Sequence, residues 1–93
     1  MRIQIDRVAL DDPRLGAIAA DELRERLFAL PSDVVETLVD AQLRSKLGTI
    51  ASWHPDAEVD LLTCGEVPLA YLVIAADGRA VRVCDIAVAI AER

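Results

Sequence analysis

Val59-Asp60-Leu61-Leu62-Thr63-Cys64-Gly65-Glu66-Val67-Pro68-Leu69-Ala70-Tyr71-Leu72-Val73-Ile74-Ala75-Ala76-Asp77-Gly78-Arg79-Ala80-Val81-Arg82-Val83-Cys84-Asp85-Ile86-Ala87-Val88-Ala89-Ile90 is the stretch on which the fold turns. Val59–Cys64 reads as a strand. Gly65-Glu66 fits a two-residue Gly-X hairpin turn. Val67–Ala76 is a long second strand, and Asp77-Gly78 is the strongest hairpin signal in the chain. Ala80–Ile90 is the third strand. Three strands in a row, joined by two tight turns, predict an antiparallel meander with helices on at least one face. Two-residue turns would set Cys64 opposite Val67 and Cys84 opposite Tyr71. The two sulfurs are then several residues apart along the sheet, beyond the roughly 7 Å between Cα atoms that a disulfide tolerates. Two core cysteines are the expectation.

Upstream, Ile3 and Ile5 alternate with Gln4 and Asp6, the pattern of a half-buried strand over residues 2–9. Asp12 is a plausible N-cap with Pro13 in the first helical position. Leu15, Ile18, Ala19, Leu23 and Leu27 follow at helical spacing, so a first helix is predicted over about 13–28. Leu30-Pro31 breaks it. Asp33 and Glu36 fit a capping box for a second helix. Val35, Val39, Leu43 and Leu47 then form one apolar stripe. That helix is predicted to run through Gly48 to about 53 and to stop before Pro55.

The chain has 93 residues, enough for one small domain spanning 1–93. It is 54% hydrophobic but has one Phe, one Trp and one Tyr, so the core must be aliphatic. A domain of this size buries roughly 60–65% of its unfolded surface, and association with a second copy would add to its stability. The net charge of −6 is spread along the chain and repels phosphate backbones, which argues against nucleic acid. Arg24, Arg26, Arg44 and Lys46 read as members of a salt-bridged solvent face with Glu22, Glu25 and Asp40. No apolar run reaches the about 18–20 residues of a membrane helix, and the N-terminus lacks the layout of a secretion signal. A cytoplasmic location without membrane association is expected.

Several stretches together resemble the N-terminal half of a Gcn5-related (GNAT) N-acetyltransferase. Leu38-Val39-Asp40-Ala41-Gln42-Leu43-Arg44 is similar to the family's second helix. His54-Pro55-Asp56-Ala57 is similar to the entry into its sheet. Leu61-Leu62-Thr63-Cys64-Gly65-Glu66-Val67-Pro68 resembles its first hairpin, and Arg82-Val83-Cys84-Asp85-Ile86-Ala87-Val88 its fourth strand. The likeness covers about residues 30–93. It implies an α+β fold, with two N-terminal helices packed on an antiparallel three- to four-stranded sheet, half of an acyl-CoA N-acyltransferase-like fold. It also implies acetyl-CoA as cofactor. The backbone of Ala87, Val88 and Ala89 would lie beside the acyl-pantetheine arm, and Arg93 would open the glycine-rich pyrophosphate loop. In that loop, free amides at a helix N-terminus hold the phosphates. Here the sequence stops at Arg93, and Gly65 and Gly78 are turn glycines. The expectation is a truncated half, inactive alone.

Two residues are candidates for chemistry. Asp85 stands in an otherwise apolar run and is placed to accept a proton from an amine; its structural alternative is pairing with Arg82 or Arg79, or capping local backbone. Tyr71, on the neighbouring strand, is a candidate general acid or a packed aromatic. His54 reads as a solvated turn residue, and no ligand spacing around it suggests a metal. The functional expectation is a GNAT-like half that acts by dimerising or by completing a partner through the 81–90 strand edge. The alternative is a non-catalytic interaction module unrelated to acetyl transfer.

Overall fold

The computed structural model describes residues 2–92 and shows an α+β architecture with two helices on one open antiparallel sheet. The elements are β1 (Ile3–Val8), α1 (Pro13–Arg26), α2 (Ser32–Trp53), β2 (Glu58–Cys64), β3 (Val67–Asp77) and β4 (Ala80–Val88), followed by a 3-10 turn at Ile90–Glu92. The four strands lie side by side in the order β1-β2-β3-β4, so β1 and β4 are the edges.

Local chemistry sets the helix boundaries. Asp12 caps α1: its Oδ1 accepts the Arg14 backbone N–H at 2.9 Å, and Pro13 takes the first turn, where a missing N–H costs nothing. The Asp33–Glu36 capping box does not form. Pro31 occupies the N-cap position of α2 with no side-chain hydrogen bond, and Glu36 instead pairs with Arg24 of α1 at 2.9 Å. A charge-paired contact between helices has displaced a local cap. Helix α2 continues through Gly48 to Trp53 and closes where the His54 N–H donates to the Ile50 carbonyl at 2.8 Å.

The helices cover one face of the sheet. Leu15, Ile18 and Ala19 of α1 and Ile50 of α2 meet Val59, Leu61, Tyr71, Val73 and Ala87 in the main core. A second cluster, Ala20, Leu23, Val35 and Val39, joins the helices to each other. The strand residues of the main core alternate along β2 and β3, as a pleated sheet requires.

Register departs from the sequence reading in β4. Cys64 does pair with Val67, so the first turn is Gly65-Glu66. In the second hairpin Asp77 pairs with Ala80, which makes Gly78-Arg79 the turn. Gly78 has φ 64°, and among the described residues no non-glycine has positive φ. Glycine thus sits first, where a II′-type turn needs it; an Asp77-Gly78 turn of type I′ would force positive φ on Asp77. Further along, Val73 pairs with Asp85 but Ile74 with Val83, leaving Cys84 as the extra residue of a β-bulge. Tyr71 therefore lies opposite Ala87, not Cys84. Turn position and bulge together account for that three-residue difference.

Strand β1 also departs from expectation. Ile3 and Ile5 pair with Cys64 and Leu62, on the face away from the helices, and are 53% and 66% exposed. Gln4 and Asp6 are on the helix side, beyond the helices' reach. Cys64 shares the outer face with Ile3, whereas Cys84 packs against the helix-side core. Both thiols are free, and the sheet itself separates them.

Candidate functional site

A polar cluster interrupts the helix-side core where β3, β4 and α2 meet. Tyr71 of β3 is 2% exposed, and its hydroxyl donates to Asp85 Oδ2 across the strand pair at 2.7 Å. The Lys46 Nζ of α2 approaches the same oxygen at 3.3 Å. The second carboxylate oxygen, Oδ1, accepts the Ile86 backbone N–H at 3.0 Å. The bulge makes this arrangement possible. One extra residue in β4 lets both Cys84 and Asp85 turn toward the helix side, where a regular strand would present only one of them.

The cation that holds Asp85 therefore comes from α2 and not from the strand arginines Arg79 and Arg82 that sequence proximity suggests. Sequence reasoning placed Lys46 on a solvent face. Its position tells otherwise: Val39, Leu43, Lys46 and Ile50 are spaced four, three and four residues apart, so Lys46 interrupts the apolar stripe itself. Glu22 does the same on α1, one turn beyond Ile18. It is partly buried and ion-paired to Arg26 at 2.6 Å. A charge on an apolar stripe was the signal that could have found both.

Burial, first, and then the hydrogen bond to Asp85 push the Tyr71 phenol far above its ordinary acidity range, and the negative charges of Asp85 and Glu22 add to the effect. Tyr71 thus keeps its proton at any ordinary pH and is a hydrogen-bond donor to Asp85, a poor general acid. Asp85 is committed to three partners in the ground state. As an acceptor for an amine proton it would have to loosen its pairing with Lys46.

The backbone candidates are arranged as a strand end. Ala87 is buried in the main core, Val88 is exposed on the outer face, and the Ala89 N–H donates to the Leu69 carbonyl at 2.7 Å. That bond ties the end of β4 to a second bulge, at Leu69 of β3, where the register with β2 shifts. Arg93 lies outside the described residues. Among the described residues, the two positive-φ glycines, Gly65 and Gly78, are in hairpin turns, while Gly16 and Gly48 are inside helices. Among those same residues no glycine-lined amide cradle stands at the end of β4, so they do not fit the pyrophosphate of acetyl-CoA.

Two shallow clefts lie further along β4. One, of about 350 Å³, is lined by Trp53, His54, Glu58, Ile74 and Val81 among others. Another, of about 320 Å³, is lined by Thr49, Ile50, Arg82, Val83 and Cys84 and shares Trp53 and His54 with the first. Trp53 is 77% exposed between them. Among the described residues no group of three or more His, Cys, Asp or Glu side chains is placed to hold a metal ion, and no helix is long and apolar enough to cross a membrane.

Comparison with protein families, curated proteins and solved structures finds no match to this chain.

Proposed function

We propose that this chain is an acetyltransferase-like half-domain that works as a scaffold for strand addition at β4 and does not transfer acetyl groups on its own. A second copy or a partner chain supplies the strand that pairs with β4; the edge expected over residues 81–90 ends at Val88, because Ile90 already belongs to the 3-10 turn. Acetyl-CoA binds only to the completed assembly.

The observation that carries this reading is the state of the two sheet edges. On the β1 edge, Gln4, Asp6 and Arg7 are exposed, and Arg7 pairs with Asp60 and Glu58 at 2.8 Å. Charge of that kind discourages pairing with another chain. On β4, Val81, Val83, Ile86 and Val88 are 68%, 59%, 62% and 41% exposed. Asp85, which would otherwise blunt the strand's middle, is turned inward to Tyr71 and Lys46. The charges left to protect β4 are Arg79 and Arg82, near the hairpin tip. An apolar, weakly protected edge is a template for β-augmentation. The likeness of residues 30–93 to a GNAT N-terminal half supplies the class.

Hydrogen exchange across β4, read beside calorimetric titration with acetyl-CoA, tests it. The expected result is concentration-dependent slowing of β4 amides, with no heat from acetyl-CoA and the isolated chain. Micromolar binding of acetyl-CoA by a single copy would overturn the scaffold reading. β4 amides that exchange at an unchanged rate at every concentration would rule out the second copy as the source of the added strand.

A further inference from the structure

A four-stranded antiparallel sheet with one solvated face ordinarily alternates apolar and polar along each strand. This one does not. Its uncovered face carries Ile3 and Ile5 on β1, Leu62 on β2, Leu72 on β3, and Ile86 and Val88 on β4. Four of these, Ile3, Ile5, Ile86 and Val88, are at least 41% exposed. Strand β1 is the most telling. Its apolar side chains all point to the uncovered face except Val8, while its polar Gln4 and Asp6 are on the helix side. The alternation of β1 is that of a strand whose core is on the uncovered face.

The shape agrees. The molecule measures 44 × 36 × 18 Å, with a radius of gyration of 14.0 Å. A compact chain of this length has a radius of gyration of about 12 Å. One helix layer and one sheet layer make a plate, and a plate with an apolar underside lacks a third layer.

We infer that the uncovered sheet face is a dimer interface, on which a second copy of this chain stacks sheet against sheet. Four strands at about 4.8 Å spacing and about 3.4 Å per residue span roughly 20 Å by 20–35 Å. Two such faces bury on the order of 1,000 Å² in total, the size at which a specific interface begins. The charges on this face are gathered at one end, where Arg7 pairs with Glu58 and Asp60. Among the described residues the rest of the face is uncharged, so the net charge of −6 per copy does not oppose contact at its centre. An apolar sheet face is complementary to itself under two-fold symmetry, and aligned sandwiches pack about 10 Å apart in this way. The cleft at Glu58, Ile74 and Val81 lies at the charged end of the face, so the apolar centre, where Ile5, Leu62, Leu72 and Ile86 lie, has no charge among the described residues to select a different partner. This interface is separate from the β4 edge: it buries side chains, whereas edge pairing uses backbone groups.

Light scattering of the full chain, with Ile5→Lys as the variant, tests the inference. Ile5 is on the edge strand farthest from β4, so the substitution leaves β4 pairing intact. The expected result is an I5K protein with half the wild-type mass at the same micromolar concentration and with unchanged circular dichroism: a 10.1 kDa monomer against a wild-type dimer, or a dimer against a wild-type tetramer where β4 edges also pair. A wild-type monomer into the sub-millimolar range would overturn the inference. An I5K protein that keeps the wild-type mass would also overturn it while leaving edge pairing standing. If I5K fails to fold, hydroxyl-radical footprinting of the wild type decides. Ile5, Leu72 and Ile86 should lose reactivity together as concentration rises, and unchanged reactivity would refute stacking.

Discussion

Replacing Tyr71 with Phe removes one oxygen from the middle of the polar cluster and nothing else. The ring stays in the core, 2% exposed in the parent, and the hydrogen bond of 2.7 Å to Asp85 is lost. A hydrogen bond to a charged group contributes about 1.5–3 kcal/mol. Asp85 keeps Lys46 at 3.3 Å and the Ile86 N–H at 3.0 Å, so its charge stays paired. The expected loss is therefore at the lower end, about 1.5 kcal/mol. With a urea dependence of about 1 kcal/mol per molar for a small domain, the midpoint falls by roughly 1.5 M. A second readout comes from pH. In the unfolded chain the phenol ionises near its ordinary value of 10.0, while in the folded chain it stays protonated well above that. The folded pKa is raised, so this contribution is intact below pH 10.0 and is lost as pH rises beyond it. Wild-type stability should fall by up to about 1.4 kcal/mol for each pH unit above that point, more steeply than that of Tyr71→Phe by this amount. Tyr71 is the sole tyrosine, so near-ultraviolet tyrosinate absorbance reports its ionisation without ambiguity. Equal midpoints for the two proteins, together with an ordinary tyrosine titration in the folded wild type, would refute the cluster.

Two further substitutions probe the fold that positions the cluster. Leu61→Ala empties a fully buried site beside Tyr71 and should cost about 2–5 kcal/mol, a large part of a small domain's stability; thermal denaturation followed by circular dichroism measures it, and a cost under about 1 kcal/mol would place the core elsewhere. Gly78→Ala adds a methyl that meets no atom within 4 Å, so its penalty is that of the backbone at φ +64° alone, about 1–2 kcal/mol in urea titration; a neutral result would mean that the turn is not the Gly78-Arg79 one.

The helices and the meander were legible because their signals are local. Asp12-Pro13 starts α1 by its own chemistry, and Gly65 and Gly78 mark the hairpins because only glycine takes positive φ cheaply. Asp85 and Tyr71 stood out as residue types in an apolar run. Their mutual hydrogen bond did not, because it depends on a register that a turn shift and a bulge both alter. Lys46 was missed because charge near other charges on a helix suggests solvent, although its spacing from Leu43 and Ile50 put it on the buried stripe. The Asp33–Glu36 cap was expected from a local motif and lost to a longer-range partner, Arg24. The half-buried pattern of β1 did not say which face the helices cover, because alternation reveals only which residues share a face.

The extra residue at Cys84 also changes what β4 can tolerate over evolutionary time. Outward-facing positions run Val81, Val83, then Ile86, Val88, so the parity of the strand reverses at one point. Losing that single residue would restore an unbroken odd–even rhythm without moving any neighbour to the wrong side. Losing one anywhere between Ile86 and Val88, with the bulge kept, would swap inside for outside over the remainder of the strand. The strand thus has one place where its length is negotiable, and it lies beside the carboxylate that ties the sheet to α2.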